Sequence, residues 1–140
     1  MLNPGDSLPT LTKPVTRENV RLYAEASGDF NPAHLDDDFA ANTQFGGVIA
    51  HGMLLLAHVS EMLTQAFGSA WPESGRLKVR FRAPAYLGDI VTTVGSVSRV
   101  VEKEGVSYLE CRVGCQNQRG EDLITGEANI PASLIEKESE

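Results

Sequence analysis

The chain has 140 residues, a length typical of one domain and short for two. Hydrophobic residues make up 41% and charged residues 22%, a composition that fits a globular protein and excludes general disorder. The formal net charge of −7 argues against nucleic acid or an anionic membrane as the main partner. We therefore expect a single domain over residues 1–140, with a charged tail from about residue 134.

No apolar run approaches the ~20 residues that a membrane-spanning helix needs, since the longest is Met53–Ala57. The start of the chain has neither the basic nor the apolar block of a signal peptide, so we expect a cytoplasmic protein. On one strand, Cys111 and Cys115 would lie ~13 Å apart, too far for a disulfide. We interpret both as reduced, structural thiols.

The first third of the chain is predicted to be helical. Thr16 suits the N-cap of a helix over Arg17–Ser27, and Gly28 suits the left-handed residue that ends it. Asn31 followed by proline suits a new helix start, so a second helix is predicted over about residues 32–42.

The strongest helical pattern runs from His51 to Phe67 and ends at Gly68. The first half of this segment is apolar on all sides, which predicts a buried helix rather than one lying on a surface. Its length would be ~25 Å, so it is predicted to form the centre of the molecule.

The second half of the chain changes to the patterns of strands, at residues 77–82, 90–101, 106–116 and 123–130. The short glycine-containing connections between the last three segments predict hairpins. Helices followed by strands indicate an α+β fold, with an antiparallel sheet of about five strands curled around the central helix. Because such a sheet has open edges, we expect a homodimer.

Asp29 and His34 flank the break between the first two predicted helices. A carboxylate and an imidazole at the ends of one tight turn can converge on a small molecule such as water. From spacing alone a structural interpretation stays open, in which Asp29 is a turn residue and His34 lies on the surface.

The start of the central helix is a second candidate. The first N–H groups of a helix lack internal partners, and Gly52 has no side chain to keep a carbonyl oxygen away. Close backbone packing is the alternative explanation for Gly52. His51 could orient this loop, and Ser60 could bond either a catalytic side chain or the Leu56 carbonyl.

Two charged clusters receive structural interpretations. The aspartates at 36–38 point in different directions on a helix, and the helix dipole accounts for their position, so we expect no metal site there. Lys78, Arg80 and Arg82 form a basic stripe that is expected to face solvent, with contact to a ligand phosphate as the alternative.

Residues 23–36 (YAEASGDFNPAHLD) and 49–54 (IAHGML) together resemble the signature of the MaoC-like dehydratases, and within them the short (R)-specific enoyl-CoA hydratases. The resemblance covers about residues 16–131. It implies a hot-dog fold, a homodimer and reversible hydration of trans-2-enoyl-CoA to (R)-3-hydroxyacyl-CoA, with no metal or other cofactor.

By matching position, the resemblance implies roles for individual residues. Asp29 and His34 are the pair that holds and activates water, and Ser60 is a supporting serine. Gly52 supplies the amide that polarises the thioester carbonyl, and Asn31 supports the site. We group His51 with Gly52 and Asn31 as candidate oxyanion or substrate-binding residues. The acyl chain is expected near a further set of residues: Phe30, Leu35, Phe39, Phe45, Gly46 and Gly47.

Three other functions remain open at this point. One is dehydration of thioesters carried by acyl carrier protein, for which the stripe at Lys78, Arg80 and Arg82 would be the contact surface. Another is thioester hydrolysis, which Asp29 and His34 fit less well than hydration. The third is a non-catalytic hot-dog protein that binds acyl-CoA.

Overall fold

The computed structural model describes the backbone of residues 2–139 and the side chains of residues 2–135. Over the described residues, no helix is both long and apolar enough to cross a bilayer. The elements, in chain order, are β1 (Thr12–Pro14), α1 (Arg17–Ser27), α2 (Pro32–Leu35), α3 (Asp37–Ala41), α4 (Gly52–Phe67), α5 (Ala70–Ser74), β2 (Arg76–Phe81), β3 (Ile90–Lys103), β4 (Val106–Gln116), β5 (Asp122–Pro131) and α6 (Ala132–Ser139).

Helix α1 has the predicted bounds and caps. The Thr16 hydroxyl accepts a hydrogen bond from the Asn19 amide at 3.0 Å, which satisfies one of the free donors of the first turn. Gly28 adopts φ 79°, and its amide donates to the Ala24 carbonyl. The helix therefore stops just before Asp29, in a conformation that a side chain would strain.

The prediction of one helix over residues 32–42 is wrong, because the chain forms two short helices there. Asn31 caps α2 as expected, and its side-chain oxygen accepts from the Ala33 amide at 3.0 Å. At Asp36 the backbone becomes extended (φ −118°, ψ 111°), and the Asp36 carboxylate accepts from the Phe39 amide. Asp36 thus caps α3 instead of continuing α2.

Helix α4 begins at Gly52, with His51 as its N-cap, and it forms the centre of the fold. One face is buried, as the helical spacing of its members shows: Leu55, Val59, Met62, Leu63 and Phe67. The prediction of burial on all sides is wrong for the single chain, since Met53 is 57% exposed and Ala57 is also exposed.

The sheet is antiparallel and has the strand order β1-β3-β4-β5-β2. The predicted strands and both hairpins are confirmed, with Lys103 paired to Val106 at one turn and Gln116 to Asp122 at the other. Strand β1 was not predicted because its three residues are too few for an alternating pattern. The charged end, predicted as a frayed tail, continues as α6 to Ser139, and residue 140 lies outside the described residues.

The core lies between the buried face of α4 and one face of the sheet. Strands β3, β4 and β5 contribute side chains that are almost fully buried: Val91, Val97, Cys111, Val113, Cys115, Ala128 and Ile130. Each large apolar side chain buried here contributes about 1.5–3 kcal/mol to stability. A long helix against a curled antiparallel sheet is the hot-dog arrangement, and the α+β prediction is confirmed.

Candidate active site

The connection between α1 and α2 presents Asp29 at the surface. Its Oδ1 accepts a hydrogen bond from the Asn31 amide at 3.2 Å, and its own amide donates to the Ser27 hydroxyl at 3.2 Å. Because Asn31 also caps α2, this short connection has a defined backbone rather than an open loop. It places His34 at the third position of α2, facing the segment before α4.

A hydrogen bond defines the tautomer of His34. Its Nδ1 lies 2.7 Å from the carbonyl oxygen of Ile49. A carbonyl can only accept, so Nδ1 carries a proton, and in the neutral ring Nε2 is the nitrogen that holds the lone pair. The half-buried ring therefore presents a basic nitrogen next to Asp29.

His51 is buried (2% exposed) and binds the connection between α1 and α2. Its Nε2 donates to the backbone carbonyl of Asp29 at 2.9 Å. The rings of His51 and His34 stack with centroids 3.9 Å apart, and the Tyr23 ring contacts the His51 ring at 4.9 Å. The Nδ1 of His51 is buried without a hydrogen-bond partner among the described residues.

The side chains of Asp29, His34 and His51 form one cluster, with a ligand-type atom of each within 4.8 Å of the others. An imidazole binds a metal along the lone pair in its ring plane. The two rings are only 26° from parallel, so their lone pairs do not converge on one point. This geometry suits a shared water or proton better than a metal ion.

The cluster at the aspartates 36–38 also has no metal-site geometry. Asp36 caps α3, and the Asp37 carboxylate binds the guanidinium of Arg17 at 2.8 Å. The Asp36 and Asp37 carboxylates are thus engaged by different groups of the chain.

A cavity of about 310 Å³ lies beside the start of α4. No described residue accepts a hydrogen bond from the Gly52 amide, as expected for the first turn of a helix. A Cβ on Gly52 would lie 3.1 Å from the Phe81 ring, closer than an ordinary van der Waals contact, so glycine lets the start of α4 approach this ring. The cavity is lined by Phe45, Ile49, Ala50, Gly52, Leu55, Phe81, Arg82, Ala83 and Pro84.

A second short pairing holds the segment before α4 in place. Residues 48–50 run beside residues 85–87, through the Ala50 amide to the Ala85 carbonyl at 2.8 Å and a bridge between Ile49 and Tyr86. The Tyr86 hydroxyl donates to the Phe45 carbonyl at 2.9 Å. The cavity wall on this side is therefore tied to the chain that leaves β2.

Ser60 lies apart from this cluster. It is eight residues beyond Gly52 on α4, a distance of ~12 Å along the helix axis. Its hydroxyl oxygen accepts from the indole N–H of Trp71 at 2.9 Å. Among the described residues no hydrogen bond joins Ser60 to Asp29 or His34, and its supporting role stays a prediction.

Sequence reasoning did not identify two residues of the site. Tyr23 packs on the buried histidine, and the Phe81 ring covers Gly52. Each reads in the sequence as an ordinary apolar position of its helix or strand, so no sequence signal distinguished either one.

Other titratable groups outside the cluster have structural explanations. Burial lowers the pKa of His58, and nearby Lys13 lowers it further, so this histidine favours its neutral form. Burial also raises the pKa of Cys111 and of Cys115 to about 12, which leaves both thiols protonated. Neither cysteine has the character of a nucleophile.

Large apolar side chains that are close to the cluster in sequence, or that contact Gly52, are exposed. Phe30, Phe39, Met53 and Phe81 are each about half exposed, and Leu35 is slightly less so. A group of exposed apolar side chains marks a surface that binds an apolar ligand or a protein partner.

Comparison with known proteins agrees with this geometry. The family model described as "MaoC like domain" matches residues 2–118 of this chain. Two curated relatives, both named (R)-specific enoyl-CoA hydratase, are 36% identical to this chain. The one from Rhodospirillum rubrum matches over 127 residues, covering 86% of this chain and 82% of the relative, and the one from Aeromonas caviae over 124 residues, covering 86% and 88%.

Among solved structures, the unliganded R-hydratase PhaJ1 from Pseudomonas aeruginosa superposes with a TM-score of 0.78 at 31% identity. The match covers 94% of this chain and 82% of that one. The chain belongs to the MaoC-like domain family, and its fold is the hot-dog fold.

Proposed function

We propose that this protein is an (R)-specific enoyl-CoA hydratase, which reversibly adds water to trans-2-enoyl-CoA to give (R)-3-hydroxyacyl-CoA. The observation that carries the proposal is the cluster of the Asp29 carboxylate and the His34 ring with His51, whose chain neighbour Gly52 lines a cavity with an amide that no described residue accepts. Its curated relatives with the same name span most of the chain.

The Gly52 amide activates the substrate. The double bond is conjugated with the thioester carbonyl, so charge drawn onto the carbonyl oxygen makes C3 electrophilic. An N–H donor at the start of α4, aided by the helix dipole, stabilises the enolate-like transition state by about 3 kcal/mol. The thioester itself supplies the activation, so the mechanism needs no resident metal or redox cofactor.

Asp29 and His34 bind and activate the water molecule. Oxygen of the water bonds to C3 while one member of the pair takes a proton from it, and a proton is delivered to C2, so the elements of water are conserved. The Nδ1–H bond to Ile49 keeps the His34 lone pair directed at the site. Asn31 supports the pair by fixing the turn between them.

We also propose that the enzyme works as a homodimer. Strand β2 is a free edge of the sheet, and Met53 and Ala57 leave one face of α4 open. A second copy would cover both surfaces and enclose the apolar side chains around the site. The buried, reduced cysteines support a cytoplasmic location.

The test is an assay with crotonyl-CoA that follows the absorbance of the enoyl thioester, with chiral analysis of the product. We expect loss of the absorbance and formation of the (R)-alcohol without release of free thiol. Thiol release would instead establish a thioesterase. Binding of crotonyl-CoA without any reaction would establish a non-catalytic acyl-CoA-binding protein.

A further inference from the structure

The outward face of the sheet concentrates the positive charge of an acidic protein. The chain has 12 Lys and Arg residues and a net charge of −7. Seven of the 12 line adjoining hollows on this single face: Arg76, Lys78, Arg80, Arg82, Arg99, Lys103 and Arg112. Alternate positions of neighbouring strands share a face, so the strand pattern itself produces this grouping.

The largest hollow, about 580 Å³, holds four cations without an ion-pair partner among the described residues. They are Lys78, Arg80, Arg82 and Arg112. The fifth cation, Arg99, binds Glu110 at 3.0 Å, which neutralises that carboxylate. Glu127 is the other acidic residue of the lining, so the hollow keeps a strong positive charge.

Arg82 connects this hollow with the active site. It follows the last residue of β2, and its Nε donates to the Thr125 hydroxyl at 2.9 Å, which directs the side chain across the outward face. The same residue lines the cavity beside Gly52. A ligand that starts at the Gly52 amide can therefore reach the basic hollow around the end of β2.

We propose that the basic hollow binds the phosphates of the coenzyme A portion of the substrate, with Arg80, Arg82 and Arg112 as their ligands. This inference rests on the proposed function, because it places the remote end of the same thioester. Arginine forks match phosphate oxygens in geometry and charge. Coenzyme A carries a diphosphate and a 3′-phosphate, which suits several free guanidinium groups in one hollow.

A small nucleotide fits these observations better than an acidic carrier protein. The four unpaired cations lie in one hollow, which shares Arg82 with the cavity beside Gly52. The net charge of −7 repels a large acidic protein over its whole surface, whereas a nucleotide experiences mainly the local field.

The experiment compares two substrates that differ only in the nucleotide, crotonyl-CoA and crotonyl-pantetheine. We expect Arg80→Gln and Arg112→Gln, which both lie outside the cavity beside Gly52, each to raise KM for crotonyl-CoA about tenfold, with kcat unchanged and with no effect on crotonyl-pantetheine. Arg76→Gln is the matched control, because it removes the same charge from the same strand face but lies outside the largest hollow. We expect it to change KM less than twofold.

The outcomes separate this inference from the proposed function. If the unaltered protein hydrates both substrates but the arginine variants leave both KM values unchanged, the inference is wrong while the hydratase stands. If neither substrate reacts, the proposed function fails. Calorimetric titration with coenzyme A alone then still decides whether Arg112→Gln weakens binding.

Two further results would also overturn the inference. One is a KM effect of all three variants, Arg76→Gln included, on crotonyl–acyl carrier protein but not on crotonyl-CoA, which would make the face a carrier-docking surface. The other is aggregation of the variants with unchanged KM, which would show that the charges only protect the edge strand.

Discussion

Asp29 combines an exposed carboxylate with a backbone that the protein holds at two points, its amide and its carbonyl. Its Oδ1, amide and carbonyl each make a hydrogen bond, to Asn31, Ser27 and His51 respectively. The carboxylate is therefore positioned in advance while its second oxygen remains available to water. This arrangement separates the chemical role of the side chain from the structural role of its backbone.

The change Asp29→Asn tests the chemical role. Asparagine keeps an oxygen that can accept from the Asn31 amide, so the turn should persist, but it cannot take a proton. We expect kcat for crotonyl-CoA hydration to fall about a thousandfold with the thermal midpoint unchanged. Asp36→Asn removes an equal charge nearby and keeps an N-cap residue, so near-normal kcat is expected there. Near-normal turnover by Asp29→Asn would exclude the carboxylate from the mechanism.

His51 is expected to act by positioning Asp29. In His51→Phe the ring contacts with Tyr23 and His34 can persist, but the donor to the Asp29 carbonyl is lost. We expect kcat to fall about tenfold, with KM changed less than twofold, because substrate contacts remain. An altered KM with normal kcat would instead assign His51 to substrate binding.

The structure brings Asp29 and His34 together, as the sequence predicted, but the sequence did not predict how they are held. The caps at Thr16, Gly28 and Asn31 are local chemistry, so the turn carrying Asp29 and His34 was predictable. The contact with His51 joins residues 22 positions apart in the chain. Such a contact depends on how α4 packs against the rest of the chain, so a local sequence pattern does not predict it.

At the level of elements, the start of α4 and the end of β2 form one wall of the cavity. Gly52 and the Phe81 ring are in contact, and residues 48–50 pair with residues 85–87. The width of the cavity thus depends on how closely a helix and a strand approach. Glycine at the first position of α4 sets that approach.

Gly52→Ala tests this contact. The added Cβ would lie 3.1 Å from the Phe81 ring, and the ring must shift toward the cavity. We expect kcat/KM to fall about tenfold with stability nearly unchanged, because alanine is the better helix former. A second change, Phe81→Leu, should restore most of the activity by making room. Gly47→Ala, whose Cβ meets only Tyr86 at 3.9 Å, serves as control, and a double variant as impaired as Gly52→Ala would contradict the steric explanation.

Ser60 joins α4 to α5 through the buried indole of Trp71. Ser60→Ala leaves that N–H without its acceptor, so we expect the free energy of unfolding to fall by about 1–2 kcal/mol. Because Ser60 lies apart from the pair, kcat should fall less than tenfold. Denaturant unfolding measures the change in stability, and steady-state kinetics measure the change in kcat.

Thr64→Ala is the control, because it removes an exposed hydroxyl from the same helix. It should lower the free energy of unfolding by less than about 0.5 kcal/mol. A large loss of kcat in Ser60→Ala at normal stability would show that Ser60 takes part in catalysis.

Long, regular elements were predictable and short ones were not. Helix α4 and strands β3 to β5 repeat their patterns over ten or more residues, and packing enforces the pattern. Strand β1 has three residues and forms because it pairs with β3. Helix α5 has five residues and forms where its own Trp71 is buried in the core. The break at Asp36 was missed because its carboxylate can either start or continue a helix.

For the whole molecule, the single chain leaves open a helix face that the sequence predicts to be buried. Residues 53–57 are apolar throughout, yet Met53 and Ala57 face outward. The prediction of complete burial was made from composition, which does not distinguish a core from an interface between copies. The mismatch between pattern and exposure is therefore an argument for assembly.

Ala57→Glu tests the assembly. A carboxylate on this face would be buried between two copies, so we expect the sedimentation coefficient to change from that of a dimer to that of a monomer. Gln65→Glu places the same group at another exposed position of α4 and should leave the dimer intact. A monomeric unaltered protein, or a dimeric Ala57→Glu variant, would contradict the proposed homodimer.

Residues 42–47 form the connection between α3 and the paired segments 48–50 and 85–87, and the Tyr86 hydroxyl anchors this connection at the Phe45 carbonyl. Phe45 in this connection lines the chamber, whereas the hydrating groups lie outside it. Insertions or replacements there would reshape the chamber and leave the chemistry untouched. Selectivity for different acyl groups can therefore change between related proteins, or be redesigned, without a change in the reaction.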